Sequence, residues 1–206
     1  MKDKIAYIEE MAQTYPQLGH AKNILGKYRG KLSAIQKTAL DDIIPYYVDY
    51  LKVNMELSGY SSAIITKRVE LVNDYYNFFY NKGYDNVFTS QSKFRPTILE
   101  EFMFLLFKDY IADLKVECND ENNVINSGAA KAYTNLYFTS PNFKKFVESP
   151  DIEINLKDQD FAIYRDFDLT INGDSHHIRI PIVAIENKTY IDKTMLEGII
   201  ATAEKN

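Results

Sequence analysis

Residues 160–188 read DFAIYRDFDLTINGDSHHIRIPIVAIENK, and the alternation within this stretch decides the fold. Phe161, Ile163, Phe167, Leu169 and Ile171 share one face of a first strand, and Ile178, Ile180, Ile182 and Ala184 share one face of a second. Period two of this kind marks β-structure with one face in a core. Between the two runs stands Asn172-Gly173, which suits a tight hairpin turn because such a turn needs positive φ at both central residues.

The hairpin gathers charge at its open end. Glu186 and Lys188 are two apart, so on a strand they project to the same side while Asn187 points away. Asp160 begins the first strand, with Asp158 two residues earlier on the same face. Strict pairing through a two-residue turn sets Asp160 opposite Ile185 and turns Glu186 to the other side of the sheet. Pro181 interrupts the second strand, and proline inside a sheet is confined to edges and bulges. One extra residue there brings Glu186 opposite Asp160, and that bulged register is the one expected.

Two carboxylates so placed repel each other unless a cation lies between them, and hard oxygen ligands favour Mg²⁺. Such an ion can hold a phosphate oxygen and a water together, while a nearby lysine orients or deprotonates the water and offsets charge developing on phosphorus. The chemistry this suits is phosphodiester hydrolysis. A second acid-x-Lys triplet, Asp113-Leu114-Lys115, falls at the end of an apolar helix, where positions two apart are about 200° apart around the axis and form no such site.

Upstream of residue 90 the pattern is helical. Apolar residues recur at spacings of three and four in DKIAYIEEMAQTY, LSAIQKTALDDII, YYVDYLKVNMELSG and SSAIITKRVELVNDYYNFFYNKG, with Pro45, Gly59 and Gly83 as expected breaks. The repeated tyrosines are expected to pack these helices together. Near residue 96, Pro96 and the Thr97-x-x-Glu100 spacing mark a further helix start, with Thr97 and Glu100 as a capping box. That helix is apolar on almost every side, which makes Glu101 conspicuous. The fold class expected is α/β (α+β), with a helical section over 1–89 and a sheet-containing core over 90–206.

Composition narrows the function further. Charges at the start of the chain leave no apolar signal segment, and the runs FMFLLF and IPIVAI are far shorter than the roughly 20 residues of a membrane span. A cytoplasmic protein with no membrane partner is expected. The single cysteine, Cys118, excludes an internal disulfide and a cysteine-based zinc cluster, and is expected to be partly buried. The net charge of -5 weighs against a protein that wraps nucleic acid. Locally the balance reverses, because no acid lies between Tyr15 and Leu40 while Lys22, Lys27, Arg29, Lys31 and Lys37 cluster there. Lys27, Arg29 and Lys31 are therefore the candidate DNA contacts, against the alternative of a solvated helix-loop-helix face. His176 and His177 point to opposite faces of a strand and are read as hairpin surface residues. The chain has no glycine-rich phosphate loop, Gly-x-Ser-x-Gly or His-Glu-x-x-His motif, so nucleotide hydrolysis and serine-hydrolase chemistry have no support.

These residues resemble the PD-(D/E)xK nuclease superfamily, and SKFRPTILEEF, KDQDFAI and IENKTYIDKTMLEG resemble Type II restriction endonucleases of the BbvCI and DdeI kind over about residues 90–206. The resemblance implies a restriction-endonuclease-like core with a mixed sheet that cuts duplex DNA with Mg²⁺. It makes Asp160 and Glu186 the metal-binding carboxylates and Lys188 the catalytic lysine, with Asp158 an alternative to Asp160. Glu101, or Glu100 beside it, would add a third metal ligand from the first core helix. The superfamily core also expects a further strand after the helix that starts near Ile191. Asn206 leaves no room for it, so the expectation is a fragment, or a second subunit that supplies the missing edge. The rival expectation is a DNA-binding or assembly subunit that keeps the fold and does not cut.

Overall fold

The computed structural model describes residues 1–88 and 94–187, together with Glu197 and Ile200. It divides into two compact units, Met1–Asn119 and Asp120–Asn206.

The first unit is helical: α1 (Lys2–Thr14), α2 (Gly19–Arg29), α3 (Ala34–Glu56), α4 (Ser62–Asn81), α5 (Tyr84–Val87) and α6 (Pro96–Glu117). α3 opens on a capping box, in which the Ser33 hydroxyl accepts from the Gln36 N–H and the Gln36 carbonyl accepts from the Ser33 N–H. It then runs through Pro45, where a break is expected. An internal proline costs about 3 kcal/mol, but Ile43, Ile44, Tyr47, Val48 and Leu51 are all buried around it, each worth roughly 1.5–3 kcal/mol. Packing wins. α4 ends before Gly83, whose φ of 68° is a conformation that glycine takes without penalty.

The capping box expected at α6 does not form. Pro96 takes the first helical position, which places Thr97 inside the first turn, where its hydroxyl donates to the Phe94 carbonyl at 2.9 Å. α6 lies in the first of the two compact units. What ties it there is polar as well as apolar. The fully buried Arg68 of α4 donates to the carbonyls of Asn54 and Leu57 and to Asp109 of α6, the last at 2.9 Å. Cys118, just past α6, is exposed rather than partly buried.

The second unit contains β1 (Ile125–Thr139), α7 (Phe143–Glu148), β2 (Asp151–Ile171) and β3 (Asp174–Ile185). The strands form one antiparallel sheet in the order β1-β2-β3. The parallel strand that a mixed sheet needs is not among the described residues. The β2–β3 turn is the one expected, with φ of 54° at Asn172 and 92° at Gly173. β2 is covered on both sides at its middle, where Phe161, Ala162, Ile163 and Tyr164 are all buried.

Candidate active site

The register of the hairpin places the acids. Pairing runs from Ile171↔Asp174 to Tyr164↔Pro181, then resumes at Ile163↔Val183, so Ile182 has no counterpart. This is the extra residue expected beside Pro181, and its consequence for the faces is that Ile182 leaves the apolar row and is 58% exposed. From there the pairs continue to Phe161↔Ile185. The next step of the same register is Asp160 with Glu186. Just past β3 the chain is tied to Asp160, whose Oδ2 accepts the Asn187 N–H at 2.8 Å.

β2 is also irregular on its other side, a few residues nearer its start. Gly128 pairs with Ala162 and Ala130 with Gln159, so Asp160 and Phe161 together stand against Ala129 alone. Gly128 has φ of 133°, which is essentially glycine's alone among the common residues. Asp160 is therefore itself one of the two bulged residues of β2, and the bulge of β3 at Ile182 lies opposite the Ile163–Tyr164 step, a few residues further along. Bulges re-aim side chains and end regular pairing, and they concentrate next to active sites. Asp158, the alternative acid, is exposed and pairs across the sheet with Lys131.

The donor set suits Mg²⁺. Among the described residues no group of three His, Cys, Asp or Glu could hold a metal, but Mg²⁺ usually takes one or two carboxylates and fills its octahedron with water and substrate phosphate. The Asn187 bond uses only one oxygen of Asp160. The Asn187 side-chain Nδ2 is buried with no partner among the described residues. An amide N–H₂ cannot ligate a metal, yet it can donate to a water or a phosphoryl oxygen beside one. Lys188 lies outside the described residues.

Glu101 sits in a different setting. Its Oε2 accepts from the Ala21 N–H at 2.9 Å and its Oε1 from the Tyr47 hydroxyl at 2.8 Å, and it is 1% exposed. Burial pushes its pKa up to about 7, although both donors pull the other way. Beside it lies His20, which the sequence reading did not single out. Its Nε2 is 2.8 Å from the Tyr75 hydroxyl and its Nδ1 3.1 Å from Thr97 Oγ1. Because Thr97 gives its own proton to Phe94, Nδ1 carries the ring proton and Nε2 accepts from Tyr75. Burial lowers the His20 pKa to about 3, so the ring is neutral. The aromatic periodicity of the helices pointed to a tyrosine core but carried no signal for this polar centre.

Lys27, Arg29 and Lys31 lie at and just beyond the C-terminus of α2. Arg29 donates to Glu9 at 2.6 Å, with both side chains substantially exposed. His177 is exposed as expected and bonds to Asp166 and Asp168.

The family model of the Bpu10I restriction endonuclease matches residues 91–206. The chain belongs to the Bpu10I restriction endonuclease family. The matched stretch takes in α6, the sheet unit and the Glu186-Asn187-Lys188 triplet. A solved structure of the native BbvCI A2B2 tetramer has the same fold, with a TM-score of 0.66 and 22% identity over 93% of this chain and 69% of that one. No curated protein matches the chain. No helix among the described residues is long and apolar enough to cross a membrane.

Proposed function

We propose that this member of the Bpu10I family is a sequence-specific Type II restriction endonuclease that hydrolyses phosphodiester bonds of duplex DNA with Mg²⁺. The observation that supports this reading is the bulge at Ile182, after which the register runs to Phe161↔Ile185 so that Asp160 and Glu186 come next, with the Asn187 N–H bonded to Asp160. In this reading Asp160 and Glu186 hold the ion, which when bound polarises a phosphoryl oxygen and lowers the pKa of a water. Lys188 would orient that water and, as the neutral amine, take its proton as the new P–O bond forms, while the bond to the sugar oxygen breaks and that oxygen leaves with a proton from solvent. Asn187 steadies Asp160 through its backbone N–H and offers its side-chain amide to an oxygen of the phosphate or the water. This reading gives Glu101 a core role rather than a place among the ligands, because it is buried in the helical unit with each oxygen accepting a bond from that unit.

The partners in this reading are double-stranded DNA, contacted by Lys27, Arg29 and Lys31, and a second subunit, and the setting is the cytoplasm. The similar solved structure, whose title names an A2B2 tetramer, supports the subunit part. The test is plasmid cleavage with Mg²⁺ or chelator, beside Lys188→Ala. Discrete Mg²⁺-dependent nicks or fragments, reduced at least about a hundredfold in the variant, are expected. Metal-independent DNA binding with no cleavage by any assembly of the chain would instead make it the non-cutting subunit.

A further inference from the structure

β1 supplies a cation to the face that carries Asp160. Lys131 stands directly opposite Asp158 in the β1–β2 register, and opposite residues of an antiparallel pair share a face. Asp160 reaches that face by two routes. Along β2 it is two residues from Asp158, and across the sheet it belongs to the bulged pair that stands against Ala129, itself two residues from Lys131. Lys131 and Asp160 are therefore diagonal neighbours, at a spacing that a long side chain can bridge.

The surroundings leave Lys131 open on this face. Lys131, Ala129 and Asp158 are all exposed, while Ala130 and Ala132, which point to the other face, are buried. Beside the bulge, β1 thus presents only the methyl group of Ala129, so a bulky ligand can come close to the sheet. Asp158 is the cross-strand neighbour, yet among the described residues Lys131 has no ion-pair partner. An exposed pair of that kind contributes little in any case.

We propose that Lys131 holds a backbone phosphate of the duplex at the candidate site. The proposal rests on the endonuclease reading and adds a substrate contact to it. Charge is the argument. Asp158, Asp160 and Glu186 are all acids, and they repel a phosphate brought among them. A divalent ion held by Asp160 and Glu186 offsets those two carboxylates and leaves Asp158 facing the incoming phosphate. A lysine opposite Asp158 removes that repulsion. Its ammonium is a compact point charge on a flexible stem, which suits a phosphate oxygen without demanding a fixed geometry.

The experiment is fluorescence anisotropy of a mixed-sequence duplex with the full chain, without metal and over a range of salt, so that binding is read apart from cleavage. Lys131→Gln should reduce the slope of log binding constant against log salt by about one and weaken binding about fivefold at moderate salt. Lys131→Arg, which keeps the charge, should retain both. An unchanged slope in Lys131→Gln overturns the proposal, as does a chain that fails to bind the duplex at any salt. So does a double variant, Lys131→Gln/Asp158→Asn, that regains the slope of the unaltered chain, because Lys131 would then act only by neutralising Asp158. Cleavage with Mg²⁺ is measured alongside. Binding with the expected loss in Lys131→Gln but no cutting supports the contact and refutes the endonuclease reading, whereas cutting with an unchanged slope refutes the contact alone.

Discussion

Glu101 in the helical unit and Asp160 in the sheet unit both accept a backbone N–H, from Ala21 at 2.9 Å and from Asn187 at 2.8 Å, yet their surroundings suit them to opposite uses. Glu101 is enclosed, and its second oxygen is taken by Tyr47. An acid enclosed in this way, with each oxygen bonded to its own unit, is suited to stabilising a core. Asp160 is half-buried within a bulge of β2, where that strand is out of step with β1. Irregular pairing there leaves backbone and side chain free to be aimed at something that is not protein. The difference teaches that an acid's role follows from how its lone pairs are occupied, and residue type alone does not show that.

The largest effect expected on this contrast is on cleavage. Asp160→Asn should lower the Mg²⁺-dependent rate at least about a hundredfold, while Asp158→Asn stays within a few-fold, measured as plasmid nicking at saturating metal. Equal losses would mean that the Asn187 bond does not select the acid. Deleting Ile182 sharpens the same point from the backbone. It restores unbulged pairing and turns Glu186 to the other face, so activity should fall as far as in Asp160→Asn while the sheet still folds by circular dichroism. Retained activity would show that the bulge does not set the site.

Next comes stability. Glu101→Ala orphans the Ala21 N–H and the Tyr47 hydroxyl, each at about 1–3 kcal/mol, so urea unfolding should report a loss of about 3–5 kcal/mol. Its pH dependence separates the two buried groups. Glu101 has its pKa raised from 4.5 to about 7 in the folded state, so the stability it contributes is full below 4.5 and is lost as pH rises through about 7. His20 has its pKa lowered from 6.5 to about 3, so its contribution is full above 6.5 and is lost as pH falls through about 3. Between 4.5 and 6.5 the two slopes oppose and stability is flat. Glu101→Gln should remove the loss above 4.5 and expose the rise due to His20. A profile identical to that of the unaltered chain would show that Glu101 does not hold its proton in the fold.

Much of the sheet unit was legible because its signals are local. Asn172-Gly173 specified the turn, and Pro181 announced a bulge within one residue of where it lies. β1 was not read as a strand, because Gly128, Ala129, Ala130 and Ala132 are small residues with weak strand preference, and their pairing energy comes from β2. α2 has no side-chain N-cap to announce it. In the helical unit, Glu101 stood out as an acid on an apolar helix, but its partners lie 80 and 54 residues away. No periodicity reports a contact across that separation. The same holds for His20, whose partners Thr97 and Tyr75 are 77 and 55 residues distant.

The smallest effect concerns whether the helical unit is more than a scaffold. If the α2 block touches phosphates, Lys27→Ala and Lys31→Ala should each reduce the slope of log binding constant against log salt by about one. Arg29→Ala should reduce it by less, because Arg29 is already held by Glu9 at 2.6 Å and must give up that pair to reach DNA. The exposed pair itself is worth little, so this variant should leave unfolding unchanged within about 0.5 kcal/mol. Slopes unaltered in all three would confine DNA contact to the sheet unit and make the contrast between the two units complete. A graded loss, lysines before arginine, would instead show that the helical unit adds charge from its surface while its buried acid serves only the core.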